Sequence, residues 1–181
     1  MTSDRKAFIV SIFFLVVGIG AFWWTLDHNS VALSVTLPLF IFYLTIVVNT
    51  FFSIRLFAAI TPKENLAQKI CDAMLVLLYI AMALSMGNAL HFVFFDVLLF
   101  VVATAKYIFL AQIVHYPKLF RRKIWVDVSG IILGLLILAG ISAGFALQSA
   151  WVFASIFVIA NILLFFVWPL YHLHHDKEHV Q

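Results

Sequence analysis

One lysine stands where its charge is expensive. Lys106 lies in the apolar run His91–His115, nine residues before the end of that run, which in a helix puts it about 13–14 Å from the helix end. A charged side chain near a bilayer centre costs about 2.5–3.5 kcal/mol on insertion scales, so it has to face protein, water or an opposite charge. Helical side chains tilt toward the N-terminus, and this run is expected to travel from the outer to the inner face. Lys106 should therefore lean toward the bilayer centre, out of reach of the inner headgroups. Two readings follow: a charge or proton site in an internal cavity, or a structural lysine bonded to a neighbouring helix.

Two amides share that depth. Asn49 and Asn161 each lie ten or eleven residues before the expected inner ends of their own apolar runs, and Asn161 follows Lys106 by 55 residues. If the three helices converge, Asn49, Lys106 and Asn161 form one polar layer near the midplane, with Thr50, Thr104 and Tyr107 close by. The alternative is that each amide joins its own helix pair, an interaction worth about 1 kcal/mol. Asp96 is on the same run as Lys106, about 15 Å away along the axis and roughly 80° around it. The two cannot pair directly, and a water-filled path between them is the remaining link. Asp72 and Asp127 stand a turn inside the starts of outward-running helices. They can meet basic residues there (Lys69, Lys123, Arg122 or Arg55), and a helix N-terminus suits a carboxylate; an anchoring role is expected for both.

The histidines suggest a redox alternative. His28 and His91 fall at the outer ends of their runs, His115 and His172 at the inner ends. Two such pairs across a helical bundle are the geometry that holds haem by axial nitrogens, although a histidine at a membrane surface needs no ligand to explain it. The tail from His172 to His179 contains four histidines, enough to chelate a transition metal. The single cysteine, Cys71, allows no intramolecular disulfide and offers no metal cluster. No P-loop, nucleophile elbow, HExxH motif or clustered catalytic carboxylate pair occurs, which leaves enzymatic chemistry without support.

The elements that must position these residues are set by composition. The chain has 181 residues, 65% of them hydrophobic, 10% charged and 20 of them Phe. A soluble domain of this size cannot hide so much apolar surface. Spanning roughly 30 Å of hydrocarbon takes about 20 helical residues. Six runs qualify: 7–26, 35–60, 70–88, 91–115, 124–147 and 150–171. The first follows Arg5 and Lys6 as a signal peptide would, but its apolar stretch is too long for one and continues through Phe22-Trp23-Trp24, so it is expected to be retained. Pro38 sits near one end of the second run, where its missing N–H costs little. The expectation is an all-α integral membrane protein, a six-helix bundle in a single transmembrane domain followed by a His-rich tail over 172–181.

Charge placement orients it. With the N-terminus inside, every Lys and Arg except Lys106 falls at or near the cytoplasmic face, and the expected outer loops contain none. Both termini are thus expected in the cytoplasm, with the bacterial inner (plasma) membrane as location and anionic headgroups as partners of the basic residues; no nucleic-acid partner is expected. A faint repeat runs through the chain, since Pro62-Lys63 precedes Asp72 by the same ten residues that separate Pro117-Lys118 from Asp127. Three similar hairpins in parallel would produce it, as would evenly spaced helices by coincidence. The leading functional expectation is a small transporter or channel-type protein passing or sensing a small or anionic species or a proton, with Lys106, Asn49, Asn161 and Asp96 as site residues. The alternatives are a non-catalytic accessory subunit, as a homo-oligomer or within a larger membrane complex, and a haem-binding electron-transfer protein.

Overall fold

Inside hydrocarbon a backbone N–H or C=O finds no water, so an apolar run satisfies itself only as a helix. The computed structural model describes residues 2–28, 33–61, 65–114 and 117–167. Among the described residues there are six α-helices and no strand: α1 (Ser3–His28), α2 (Leu33–Ile60), α3 (Leu66–Leu84), α4 (Ala89–Ala111), α5 (Pro117–Ser142) and α6 (Ala146–Ile162), the last continued by a π-turn over Leu163–Val167. All six are long and apolar enough to cross a membrane when the π-turn is counted with α6. This is an integral membrane protein.

The helices begin earlier than the apolar runs where capping chemistry allows. Asn65 caps α3 by accepting from the backbone N–H groups of Ala67 and Gln68 at 3.0 and 3.3 Å, so the helix starts at Leu66 rather than at Ile70. Pro117 opens α5 seven residues before the expected Ile124, at the position where proline's missing N–H costs nothing. Asn88 does not close α3 as expected; it caps α4, accepting from the His91 N–H at 3.1 Å. The sixth run was expected to reach Tyr171, but the regular helix stops at Ile162 and residues 168–171 lie outside the described part. Pro38 sits within α2 without interrupting it.

In cross-section the helices form a closed ring in the order α1, α2, α6, α5, α4, α3, with α3 returning to α1 and a further contact between α2 and α4 across the interior. The order explains why α2 and α4 are the most enclosed, with 44% of their central stretches buried against 17–28% for the other four. Lipid-facing positions remain apolar, as at Phe8, Ile12, Leu77 and Leu136. Ion pairs fix the relative direction of the helices. Asp4 at the start of α1 meets Arg55 near the end of α2 at 2.8 Å, and Asp72 near the start of α3 meets Lys106 near the end of α4 at 2.6 Å. The starts of odd helices thus lie with the ends of even ones, and the described lysines and arginines gather at this basic end.

Aromatic rings fill the centre. Phe42 of α2 stacks on Phe153 of α6 at 4.0 Å between centroids and meets Phe92 of α4 edge-on at 5.9 Å, while Phe157 packs against Phe42 and Phe100 at 4.6 and 5.5 Å. Glycines bring the outer helices close. Gly130 and Gly134 of α5 lie under Phe100 and Val97 of α4, where any Cβ would collide, as expected for a GxxxG stripe. The sequence has a second pair at the same spacing, Gly140 and Gly144, also read as a packing motif of the fifth helix, and it behaves differently. Gly140 packs on Ser149, but Gly144 has φ +91 and no neighbour; it turns the chain between α5 and α6 and has no part in helix packing.

Gly18 makes the tightest of these approaches. A Cβ there would collide with the Tyr43 ring, which is itself held by a 3.0 Å hydrogen bond from the Tyr43 hydroxyl to the Phe14 carbonyl. Gly20, two residues on, faces outward with nothing within 4 Å. Gly18→Val should lower the thermal stability of the detergent-solubilised protein by about 1–3 kcal/mol of overpacking, whereas Gly20→Val should leave it at or above wild type. Equal melting behaviour of the two variants would refute this packing.

Candidate functional site

Two cavities lie on either side of Asn49 of α2 and Phe100 of α4, which line both. The first, of about 200 Å³, lies at the basic end and is lined chiefly by α1, α2, α3 and α4, with two side chains of α5. It collects five charged groups, Lys6, Asp72, Lys106, Lys123 and Asp127, together with Asn49, Thr50, Ser53, Gln68, Tyr79 and Tyr107. At about 30 Å³ per water, it has room for six or seven water molecules or one small solute.

Lys106 lines the cavity and is also bonded to a neighbouring helix, so the structure brings together both readings of its position. Its Nζ donates to Asp72 Oδ1 at 2.6 Å, and Lys6 approaches Asp72 Oδ2 at 3.9 Å. The reason is one of level. α4 ends at Ala111, so Lys106 stands only five residues from the helix end, about 7.5 Å. Asp72, six residues into α3, is about 9 Å from its own. The two groups are therefore at matched depth on adjacent helices, and a four-carbon stem spans the gap sideways. The lysine side chain is 12% exposed and the aspartate 35%.

The second pair is built within one helix. Lys123 and Asp127, one turn apart on α5, are joined by a hydrogen bond from Nζ to Oδ1, and both are buried. Lys123 also lies 5.2 Å from the Tyr107 ring centroid, and Lys106 lies 5.7 Å from it; an aromatic face attracts a cation at that range. The Tyr107 hydroxyl is hydrogen-bonded to Ser53 Oγ at 2.7 Å, and the Tyr79 hydroxyl is bonded to Thr50 Oγ1. Three ammonium groups thus face two carboxylates, with hydroxyls of α2, α3 and α4 between them. The surplus is positive by one ammonium group. Such a lining suits a small anion that engages the ammonium groups and accepts from the hydroxyls.

The other expected site residues are dispersed. Asn49 lines both cavities, and Asn161 lines only the second. The three-residue layer is therefore two environments sharing Asn49 and Phe100 as a common wall. Asp96 is fully buried, with neither carboxyl oxygen hydrogen-bonded, and lines neither cavity. His28 stacks on Trp24 at 3.8 Å between ring centroids, and His91 is exposed at the start of α4; His115, His172 and the tail lie outside the described residues. Among the described residues no three His, Cys, Asp or Glu side chains come together as a metal site.

Lys123 was the residue hardest to foresee as part of a site. It closes the basic stretch Arg121-Arg122-Lys123, which reads as a headgroup anchor, yet Lys123 is 5% exposed while its two neighbours face out. The available signal was the stripe Lys123, Asp127, Gly130, Gly134, whose spacings of four, three and four residues mark one helix face. No protein-family model, curated protein or solved structure matches this chain.

Because Asp72 and Lys106 satisfy each other, removing either alone leaves its partner partly buried and without its nearest counter-charge. Asp72→Asn and Lys106→Met should each lower thermal stability, and the double variant should recover most of the loss. A double-mutant cycle should give a coupling of about 1–3 kcal/mol. Strictly additive losses would show that the pair contributes nothing.

Proposed function

We propose that this protein is a small multipass transporter or channel-type protein that admits a small anion into the charged cavity at its basic end. The single observation behind this reading is the cavity's lining: Lys6, Lys106 and Lys123 against Asp72 and Asp127, inside an otherwise apolar set of helices. A bilayer tolerates such groups where they serve a solute, an ion or a proton. An arriving carboxylate or phosphate oxygen takes over the position of Asp72 Oδ1 at Lys106 Nζ, so no ammonium is left bare during exchange. With the basic end on the cytoplasmic side, as the distribution of lysine and arginine implies, the cavity is loaded from or emptied to the cytoplasm. Lys6 and Arg5, near the start of α1, raise the local concentration of anions at its mouth.

Proteoliposomes containing the protein should take up at least one of radiolabelled acetate, inorganic phosphate and chloride faster than empty vesicles. The Asp72→Asn/Lys106→Met double variant, which keeps the cavity free of a stranded charge, should lose at least tenfold of that rate. Wild-type uptake no faster than empty vesicles for all three anions, or an unchanged rate in the double variant, would overturn the proposal.

A further inference from the structure

The charged cavity is charged at only one end. Lys6, Asp72 and Lys106 stand near the ends of their helices, whereas Phe14, Ile46, Tyr79, Leu99 and Phe100 line its deeper part. Phe14 lies eight residues beyond Lys6 on α1, and Leu99 seven before Lys106 on α4. That separates the two parts by about 10–12 Å along the helices. The five deep residues are each 5% exposed or less, so most of this wall belongs to the interior of the bundle. The hydroxyls of Thr50 and Tyr79 reach it but are bonded to each other, and they offer little to a polar guest. A small inorganic anion at the lysines leaves this apolar space to water, which finds few partners there.

The charges define the head of a fitting guest. Lys123 and Asp127 balance each other on α5, whereas Lys6 and Lys106 share the single carboxylate of Asp72. The surplus is thus one positive charge, carried by Lys6 and Lys106, and it matches a monoanion. We propose that the substrate class of this site is the apolar monocarboxylate, whose head completes the charge balance of the two lysines and whose hydrocarbon tail fills the deep part. One carboxylate oxygen takes the place of Asp72 Oδ1 at Lys106 Nζ, while Asp72 keeps Lys6. Volume sets the tail. An apolar cavity of about 150 Å³ accepts benzene, so one of about 200 Å³ accommodates about eight heavy atoms, the size of hexanoate. A second carboxylate at the far end of the tail would be stranded among Phe and Leu side chains, which excludes dicarboxylates. This inference rests on the anion reading of the same cavity and narrows it.

The test measures, at constant ionic strength, the concentration of each ligand that raises the melting temperature of the detergent-solubilised protein by a fixed amount. That concentration scales with the dissociation constant. Acetate, butyrate and hexanoate should need progressively less, by about three- to fourfold per added methylene. Hexanoate should therefore act at about a hundredfold lower concentration than acetate. Adipate, with a carboxylate at both ends, should do no better than acetate, and 1-hexanol, which lacks the charge, should be at least about tenfold weaker than hexanoate. An alcohol enters detergent micelles more readily than a carboxylate does, so a non-specific effect would put 1-hexanol first. Ala103→Leu, which places a larger side chain between the lysines and the deep part, should cut the advantage of hexanoate over acetate at least about tenfold. Acetate matching hexanoate would overturn the inference and leave the anion reading in place. 1-Hexanol matching hexanoate, or no shift with any of the anions, would also overturn it, and vesicle uptake then decides the anion reading separately. The comparison of ligands needs no variant, so a folding defect in Ala103→Leu leaves the outcome decisive.

Discussion

An ammonium group carried on a helix through hydrocarbon has to be solvated by something, and in this protein Asp72 does it for Lys106. Much of the arrangement at the basic end follows from that requirement. The pair forces α3 and α4 into register with their charged residues at one level, and the short turn between the two helices makes the register possible. Lys6 then meets the outer oxygen of the same carboxylate, which draws the start of α1 against α3 and closes the ring. Around the pair, hydroxyls of Ser53, Thr50, Tyr79 and Tyr107 are turned inward because each finds a partner there. A charge that would be prohibitive alone thus becomes the organising point of a cavity.

The other constraint is aromatic. Phe42, Phe92, Phe100, Phe153 and Phe157 join the three even-numbered helices into one packed unit, and that unit separates the charged cavity from the opposite half of the molecule. Asp96 is fully buried, without hydrogen bonds, and lines neither cavity, so neither of the two cavities supplies the water-filled path from it to Lys106. On the proposed function, a solute leaving the charged cavity for the opposite face would have to displace these rings, and close-packed interiors rearrange between discrete packings. The even helices do converge, but through phenylalanines; the polar groups are displaced to either side of them.

Hydropathy and charge were enough to read six membrane-length helices and a common basic end from the sequence, because both depend on long stretches and tolerate errors of several residues. Helix ends were less legible. Asn65 and Asn88 are ordinary polar residues until one knows that each accepts backbone N–H bonds, and Ala111 ends α4 four residues before the apolar run does. That small error moved Lys106 in depth and hid its partner. Rotation about each helix axis was poorly legible from α2 or α4, whose few polar residues are set in apolar surroundings on every side. It was partly legible on α5, where two charges and two glycines share one face.

The two ion pairs of the cavity are not equivalent. Lys123 and Asp127 are fixed on one helix, one turn apart, so no movement of helices separates them. Lys106 and Asp72 are on different helices, and α3 is the least enclosed of the six, touching chiefly α1 and α4. Whatever takes the place of Asp72 at Lys106 removes the strongest polar tie between α3 and the rest. The pair on α5 meanwhile keeps its charge balance, together with the contact to Tyr107. On the proposed function, the pair that an arriving anion separates is the one between α3 and α4, and the contact it leaves untouched is the glycine-packed one between α4 and α5.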